Sequence, residues 1–140
     1  MMPTRANGHA HPWGDATTPY DEIGHADQVR RLSDAFYDVI ERESPLLRAM
    51  LPKSTVNTRT KFFMYLSGWL GGPPLYEEKW GHPRLRMRHF PFSIGAVEAK
   101  EWMRCMRIAM REAGVPEPLR TFLDERFTQL AEHMRNQPDR

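Results

Sequence analysis

Apolar residues in this chain recur at intervals of three and four, and nowhere convincingly at intervals of two, which restricts the fold to packed helices. From Asp27 to Glu43 the positions Val29, Leu32, Phe36 and Ile40 form one stripe, with Asp27 as the expected cap. Tyr37 lies at the stripe's margin, so its ring can face inward while its hydroxyl seeks a partner. Ser44-Pro45 opens a short turn of helix through Leu46, Leu47 and Met50, and Pro52 ends it. A helix from about Thr55 to Leu70 places Thr58, Phe62, Tyr65, Leu66 and Trp69 on one wide face, which must meet something large and apolar. Gly71-Gly72-Pro73-Pro74 stops it, and a long connection runs on through Trp80. Two further helices are predicted. Val97 to Ala113 carries Trp102, Cys105, Met106 and Ala109 on one face and ends at Gly114. The last begins at Pro116 or Pro118 and buries Leu119, Leu123, Phe127, Leu130 and Met134. Residues 1–18 mix Pro, Gly and small polar residues without periodicity and read as a flexible extension, with His9 and His11 solvated. Residues 19–140 then form a single all-α domain.

A chain of 140 residues with 40% hydrophobic content builds one core, not two. Its net charge of +2 comes from 20 basic residues spread without a dense block, and no nucleic-acid motif accompanies the patch from Arg84 to Arg88. Nucleic acid is therefore not an expected partner. Cys105 stands alone, which leaves no intramolecular disulfide, no thiolate zinc site and no Cys-x-x-Cys-His for covalent haem attachment. It reads as a small core residue. The start of the chain lacks an apolar segment like a signal peptide, and the run Phe62 to Leu70 is too short to cross a bilayer. A cytoplasmic protein without a membrane partner is expected.

One segment points to chemistry. In Gly81-His-Pro-Arg-Leu-Arg-Met-Arg-His-Phe-Pro-Phe92, Leu85 and His89 share a helical face while Arg84, Arg86 and Arg88 fan outward and Pro91 ends the turn. Three neighbouring cations disfavour a further positive charge, which leaves the His89 imidazole lone pair free for a metal. The same guanidinium forks match carboxylates, and iron porphyrin offers both an open axial position and two carboxylates.

Taken together, Lys61-Phe-Phe-Met-Tyr-Leu-Ser-Gly-Trp-Leu-Gly-Gly-Pro-Pro74, Gly81 to Phe92, and Trp102-Met-Arg-Cys-Met106 closely resemble the group II truncated haemoglobins, over about Tyr20 to Asn136. The resemblance implies a truncated globin-like two-on-two helical sandwich around a noncovalent haem b. It implies His89 as the proximal iron ligand, with a second-shell acceptor on its other nitrogen. Lys61 and Arg88 match propionate partners. Phe62, Leu66, Trp69, Leu85, Phe92, Ile94 and Met106 match the porphyrin's surroundings. Tyr37 and Trp102 match the distal donors, phenol O–H and indole N–H, with Thr58 as a small gate over the ligand. The sequence departs from the family at Leu51, where an aromatic or histidine is usual and which cannot donate a hydrogen bond, at Phe62, which is bulkier than the usual aliphatic or amide side chain, and at Gly24-His25, an imperfect first glycine pair.

The function implied is reversible binding of dioxygen, nitric oxide or carbon monoxide. Nitric oxide detoxification or peroxidase-like chemistry would be the enzymatic extension, needing a reductase partner that the chain lacks. A monomer or weak homodimer is expected. The alternative is a haem-free globin-like helical module acting through protein–protein interaction.

Overall fold

The computed structural model of the chain describes residues 8–84 and 92–137. Seven helices lie in these segments: α1 Pro19–Ile23, α2 His25–Glu43, α3 Pro45–Arg48, α4 Val56–Trp69, α5 Leu75–Trp80, α6 Ala96–Glu112 and α7 Leu119–Met134. Two pairs make the frame, α2 against α4 and α6 against α7, and α2 also crosses α6. The core between them is apolar and fully buried, with Leu32, Phe36, Leu66, Met106, Leu123 and Phe127 among its largest side chains.

Local chemistry sets each boundary. Thr18 caps α1 by accepting from the Asp21 N–H at 3.0 Å, and Pro19 supplies a preset first-turn φ. Gly24 closes α1 at φ 112° and the chain passes directly into α2. That helix therefore begins at His25, two residues before the sequence places it. Asp27 is not its cap but a first-turn carboxylate, favourable at a helix N-terminus. His25 takes a left-handed φ of 69°, a conformation that costs a residue with a Cβ about 1–2 kcal/mol. Asp21 Oδ1, 3.1 Å from its Nε2, and the Tyr20 ring, edge-on at 5.5 Å, hold it there. The imperfect glycine pair thus keeps the sharp corner that a second glycine would adopt freely.

The connection after α4 is not the plain loop that its Gly-Gly-Pro-Pro start suggests. Leu75 to Trp80 form α5, packed on α4, with Tyr76 and Trp80 one turn apart and their rings at 4.9 Å. Gly72 lets the corner close, since a Cβ there would meet the Tyr20 ring at 2.4 Å. The Tyr20 N–H donates to the Leu70 carbonyl at 2.9 Å, which fastens α1 to that corner. Beyond residue 91, Asn136 clamps the returning chain. Its Oδ1 accepts from the Ile94 N–H at 2.9 Å and its Nδ2 donates to the Phe92 carbonyl at 2.8 Å. Glu98 accepts from the Gly95 N–H at 2.6 Å and starts α6.

The stretch before α1 has contacts of its own from residue 8 onward. Trp13 stacks on His11 at 4.5 Å, meets the Phe122 ring edge-on at 5.2 Å, and donates its indole N–H to the Ala16 carbonyl at 2.9 Å. Ala16 in turn donates to Glu22 Oε1 at 3.1 Å. None of the helices described is long and apolar enough to cross a membrane.

Candidate functional site

A cavity of about 470 Å³ opens between the two helix pairs. From α2 come Phe36, Tyr37 and Ile40, and from α3 and its following turn Leu47, Met50, Leu51 and Pro52. Thr58, Lys61, Phe62 and Tyr65 line it from α4, Tyr76 from α5, and Glu98, Ala99 and Trp102 from α6. Phe92, Ile94 and the end of α7, at Leu130, Ala131 and Met134, complete the wall. Most of this lining is hydrocarbon. Such a space suits a flat apolar molecule far better than a hydrated ion.

Helical spacing explains which side chains arrive there. On α4, Thr58, Lys61, Phe62 and Tyr65 fall three or four residues apart and share one face. Glu98, Ala99 and Trp102 do the same on α6. Phe36 is the hub of the aromatic wall, with ring centroids 5.3 Å from Tyr37, 5.4 Å from Phe62 and 5.1 Å from Trp102. Phe62 stands between the two polar rings, nearly perpendicular to Tyr37 at 5.8 Å and to Trp102 at 6.5 Å.

Tyr37 and Trp102 each bring a donor to this wall. Among the described residues neither the phenol hydroxyl nor the indole N–H makes a hydrogen bond, although Tyr37 is only 7% exposed. Burial raises the Tyr37 phenol well above its ordinary value of 10.0, opposed by the nearby Arg59 charge, so the hydroxyl keeps its proton. The tyrosine is thus fixed as a donor. Leu51 lies on the same wall and contributes only methyl groups. Lys61 is exposed at the margin, its Nζ 5.6 Å above the Trp80 ring.

The structure brings Tyr37, Thr58, Lys61, Phe62, Phe92, Ile94 and Trp102 together as the sequence groups them. Leu66 and Met106 instead lie at 0% exposure in the core and are not on the cavity wall. Leu66 follows Tyr65 at the edge of the α4 face, and Met106 lies one turn beyond Trp102 on the same face of α6. Trp69 stacks on Phe127 at 4.7 Å and lines an adjoining cavity of about 350 Å³ with Met64, His82, Arg84 and His133. The two spaces share Tyr65, Tyr76 and Leu130. His89, Leu85 and Arg88 lie outside the described residues.

Sequence reasoning passed over Tyr65 and Tyr76 as site residues. Tyr65 was legible from its place three residues after Phe62, and burial pushes its phenol up to about 12. Tyr76 rides on α5, whose six residues are too few to show a periodic stripe.

Comparison with known proteins agrees with this architecture. The family model for bacterial-like globins matches residues 18–136. The group 2 truncated haemoglobin YjbI of Bacillus subtilis is 40% identical over 86% of this chain and 90% of that protein. The crystal structure of the group II truncated haemoglobin from Bacillus anthracis superposes with a TM-score of 0.84 at 39% identity, covering 89% of this chain and all of that one. A truncated oxygen-avid haemoglobin from Bacillus subtilis superposes with a TM-score of 0.79 at 40% identity, over 86% of this chain and all of that one. The chain belongs to the bacterial-like globin family, as a group II truncated haemoglobin with the two-on-two fold. Membership implies a haem cofactor and globin-type ligand binding. The described walls fit that group: the space is wide and apolar, two donors on it lack protein partners, and a cation stands at its margin.

Proposed function

We propose that this chain is a cytoplasmic haem-b protein that reversibly binds dioxygen, and also nitric oxide and carbon monoxide, at an iron ligated by His89. Haem, held without a covalent link, would supply the iron chemistry that binds a diatomic ligand. The observation that carries the reading is the pair of unpartnered donors, Tyr37 and Trp102, on one apolar wall of a globin-family cavity. Neither donor atom is sealed away, since no enclosed side-chain N or O among the described residues lacks a partner; both are reachable from the cavity, where a ligand oxygen that gathers negative character accepts from them. The oxygen-avid relative from Bacillus subtilis supports dioxygen as the principal ligand.

Each wall residue then has a task. Tyr37 and Trp102 donate to the bound ligand, Thr58 stands over it as a small gate, and Leu51 keeps that side dry without donating. Phe62 narrows the approach from α4. Lys61 and Arg88 pair with the propionates. Phe92 and Ile94 line the cavity, and Leu85 is a further porphyrin contact that the family resemblance implies. Nitric oxide detoxification and peroxidase-like turnover are the redox extensions of the same site, and sustained turnover draws electrons from a separate reductase. The protein works as a monomer or weak homodimer.

The absorption spectrum of the purified, haemin-supplemented protein tests this. Expected is an intense Soret band in the wild type and loss of the five-coordinate ferrous spectrum in His89→Ala. A colourless protein that takes up no haemin overturns the proposal and leaves a haem-free helical module that acts through partner proteins.

A further inference from the structure

Beside Tyr37, and outside the cavity wall, lies a guanidinium held more firmly than a surface arginine has reason to be. Arg59, on α4, places its Cζ 5.9 Å from the Tyr37 ring centroid, and it is not part of the cavity wall. Its side chain is 17% exposed. Three groups of α2 hold it: Nη1 donates to Asp38 Oδ1 at 2.7 Å and to the Asp34 carbonyl at 3.1 Å, and Nη2 donates to Glu41 Oε2. Nε donates to Thr55 Oγ1 at 3.0 Å, and Thr55 itself donates to Glu41. The Arg59 backbone is pinned as well, since its carbonyl accepts from the fully buried Ser33 hydroxyl at 2.8 Å.

Four side-chain donations in a fixed fork leave the guanidinium little freedom to move, which is the use of arginine that lysine cannot copy. The only polar group of the Tyr37 side chain, the phenol hydroxyl at the tip of the ring, has no partner among the described residues. The Phe36 and Phe62 rings already confine the Tyr37 ring, at 5.3 Å and 5.8 Å, and Arg59 adds a fixed cation near its face. A cation over an aromatic face is attracted to it, and it draws charge from the ring and so from the phenol oxygen. The carboxylates of Asp34, Asp38 and Glu41 are 42%, 58% and 38% exposed, so solvent screens them more than it screens the guanidinium between them and the ring.

We propose that Arg59 is a positioning residue for Tyr37: it backs the ring, sets the direction of the phenol O–H into the cavity and strengthens its donation to a bound ligand. The inference rests on the ligand-binding reading above and adds to it a residue outside the wall.

The test uses the full-length, haem-loaded protein and reads the C–O stretching frequency of its carbon monoxide adduct, the dioxygen dissociation rate and the melting temperature. Arg59→Gln is expected to shift or split the C–O band and to speed dioxygen release roughly two- to fivefold, the worth of one cation–ring contact. Arg59→Lys should fall between Arg59→Gln and the wild type. In a Tyr37→Phe background, Arg59→Gln should leave the C–O band where Tyr37→Phe alone puts it. Should Arg59→Gln fold poorly, the double variant Asp38→Asn with Glu41→Gln keeps the arginine, releases its anchor and is expected to broaden the C–O band. A lowered melting temperature with an unmoved band and rate makes Arg59 a structural link only and overturns the inference. A wild-type protein with no Soret band overturns the haem reading, and this inference with it, so the two failures are told apart in the first spectrum.

Discussion

Polar side chains among the described residues can be compared in two places, the buried scaffold and the wall of the cavity. In the scaffold every one has a partner: Ser33 donates to the Arg59 carbonyl, Ser44 to Glu101, Thr55 to Glu41 and Ser67 to the Pro73 carbonyl. On the cavity wall Tyr37 and Trp102 have none among the described residues. No enclosed side-chain N or O among the described residues lacks a partner, so these two donor atoms are reachable from the cavity, where water or a bound molecule can accept from them. The difference separates what holds the helices together from what they hold.

Substitutions on the two sides should therefore behave oppositely. The largest effect is expected in Tyr37→Phe and Trp102→Phe, each speeding dioxygen release by about ten- to a hundredfold, the loss of a hydrogen bond to a charged acceptor. Stability should hold or rise in Tyr37→Phe, which keeps the ring and loses no hydrogen-bond partner, and fall in Trp102→Phe, which trims a ring packed against Phe36 and Phe127. Flash photolysis with thermal melts reads both, and unchanged release in both variants would mean that neither donor holds the ligand. Ser33→Ala reverses the pattern, with a loss of about 1 kcal/mol in denaturant titration and normal ligand kinetics. A ligand rate that moves with Ser33→Ala would blur the division.

The smallest effect concerns pH. Burial raises both the Tyr37 and the Tyr65 phenol above the ordinary 10.0, so the neutral forms favour the folded state. Their contribution is complete below pH 10.0 and is lost as pH rises through the folded values, because the unfolded chain then binds fewer protons. Tyr37→Phe should accordingly push alkaline unfolding, followed by circular dichroism, to slightly higher pH. An unshifted midpoint would show that the phenol is not penalised by its surroundings.

Much of this was legible beforehand, and the gaps have physical causes. The stripes on α2, α4, α6 and α7 each exceed three turns, long enough for the 3.6-residue period to declare itself. With only six residues, α5 could not show one, and Tyr76 went with it. The start of α2 was misplaced because Asp27 resembles a cap, whereas the true boundary is a backbone corner at Gly24 and His25. At the site, residue type identified Tyr37 and Trp102. Leu66 and Met106 were grouped with the porphyrin's surroundings by resemblance; they lie at 0% exposure in the core, and periodicity does not separate them from the lining, since Met106 follows Trp102 by one turn on the same face. Arg59 was invisible as well: its meaning lies in Asp34, Asp38 and Glu41 coming from another helix, and no local pattern announces that.

Phe62 meets the Tyr37 ring and the Trp102 ring edge-on, one on each side. Neither polar ring can swing far without shouldering that phenyl into the other, so the phenol and the indole are geared together. Discrimination among small gases would then follow the clearance around a single benzyl group, and trimming it to leucine would loosen both grips at once.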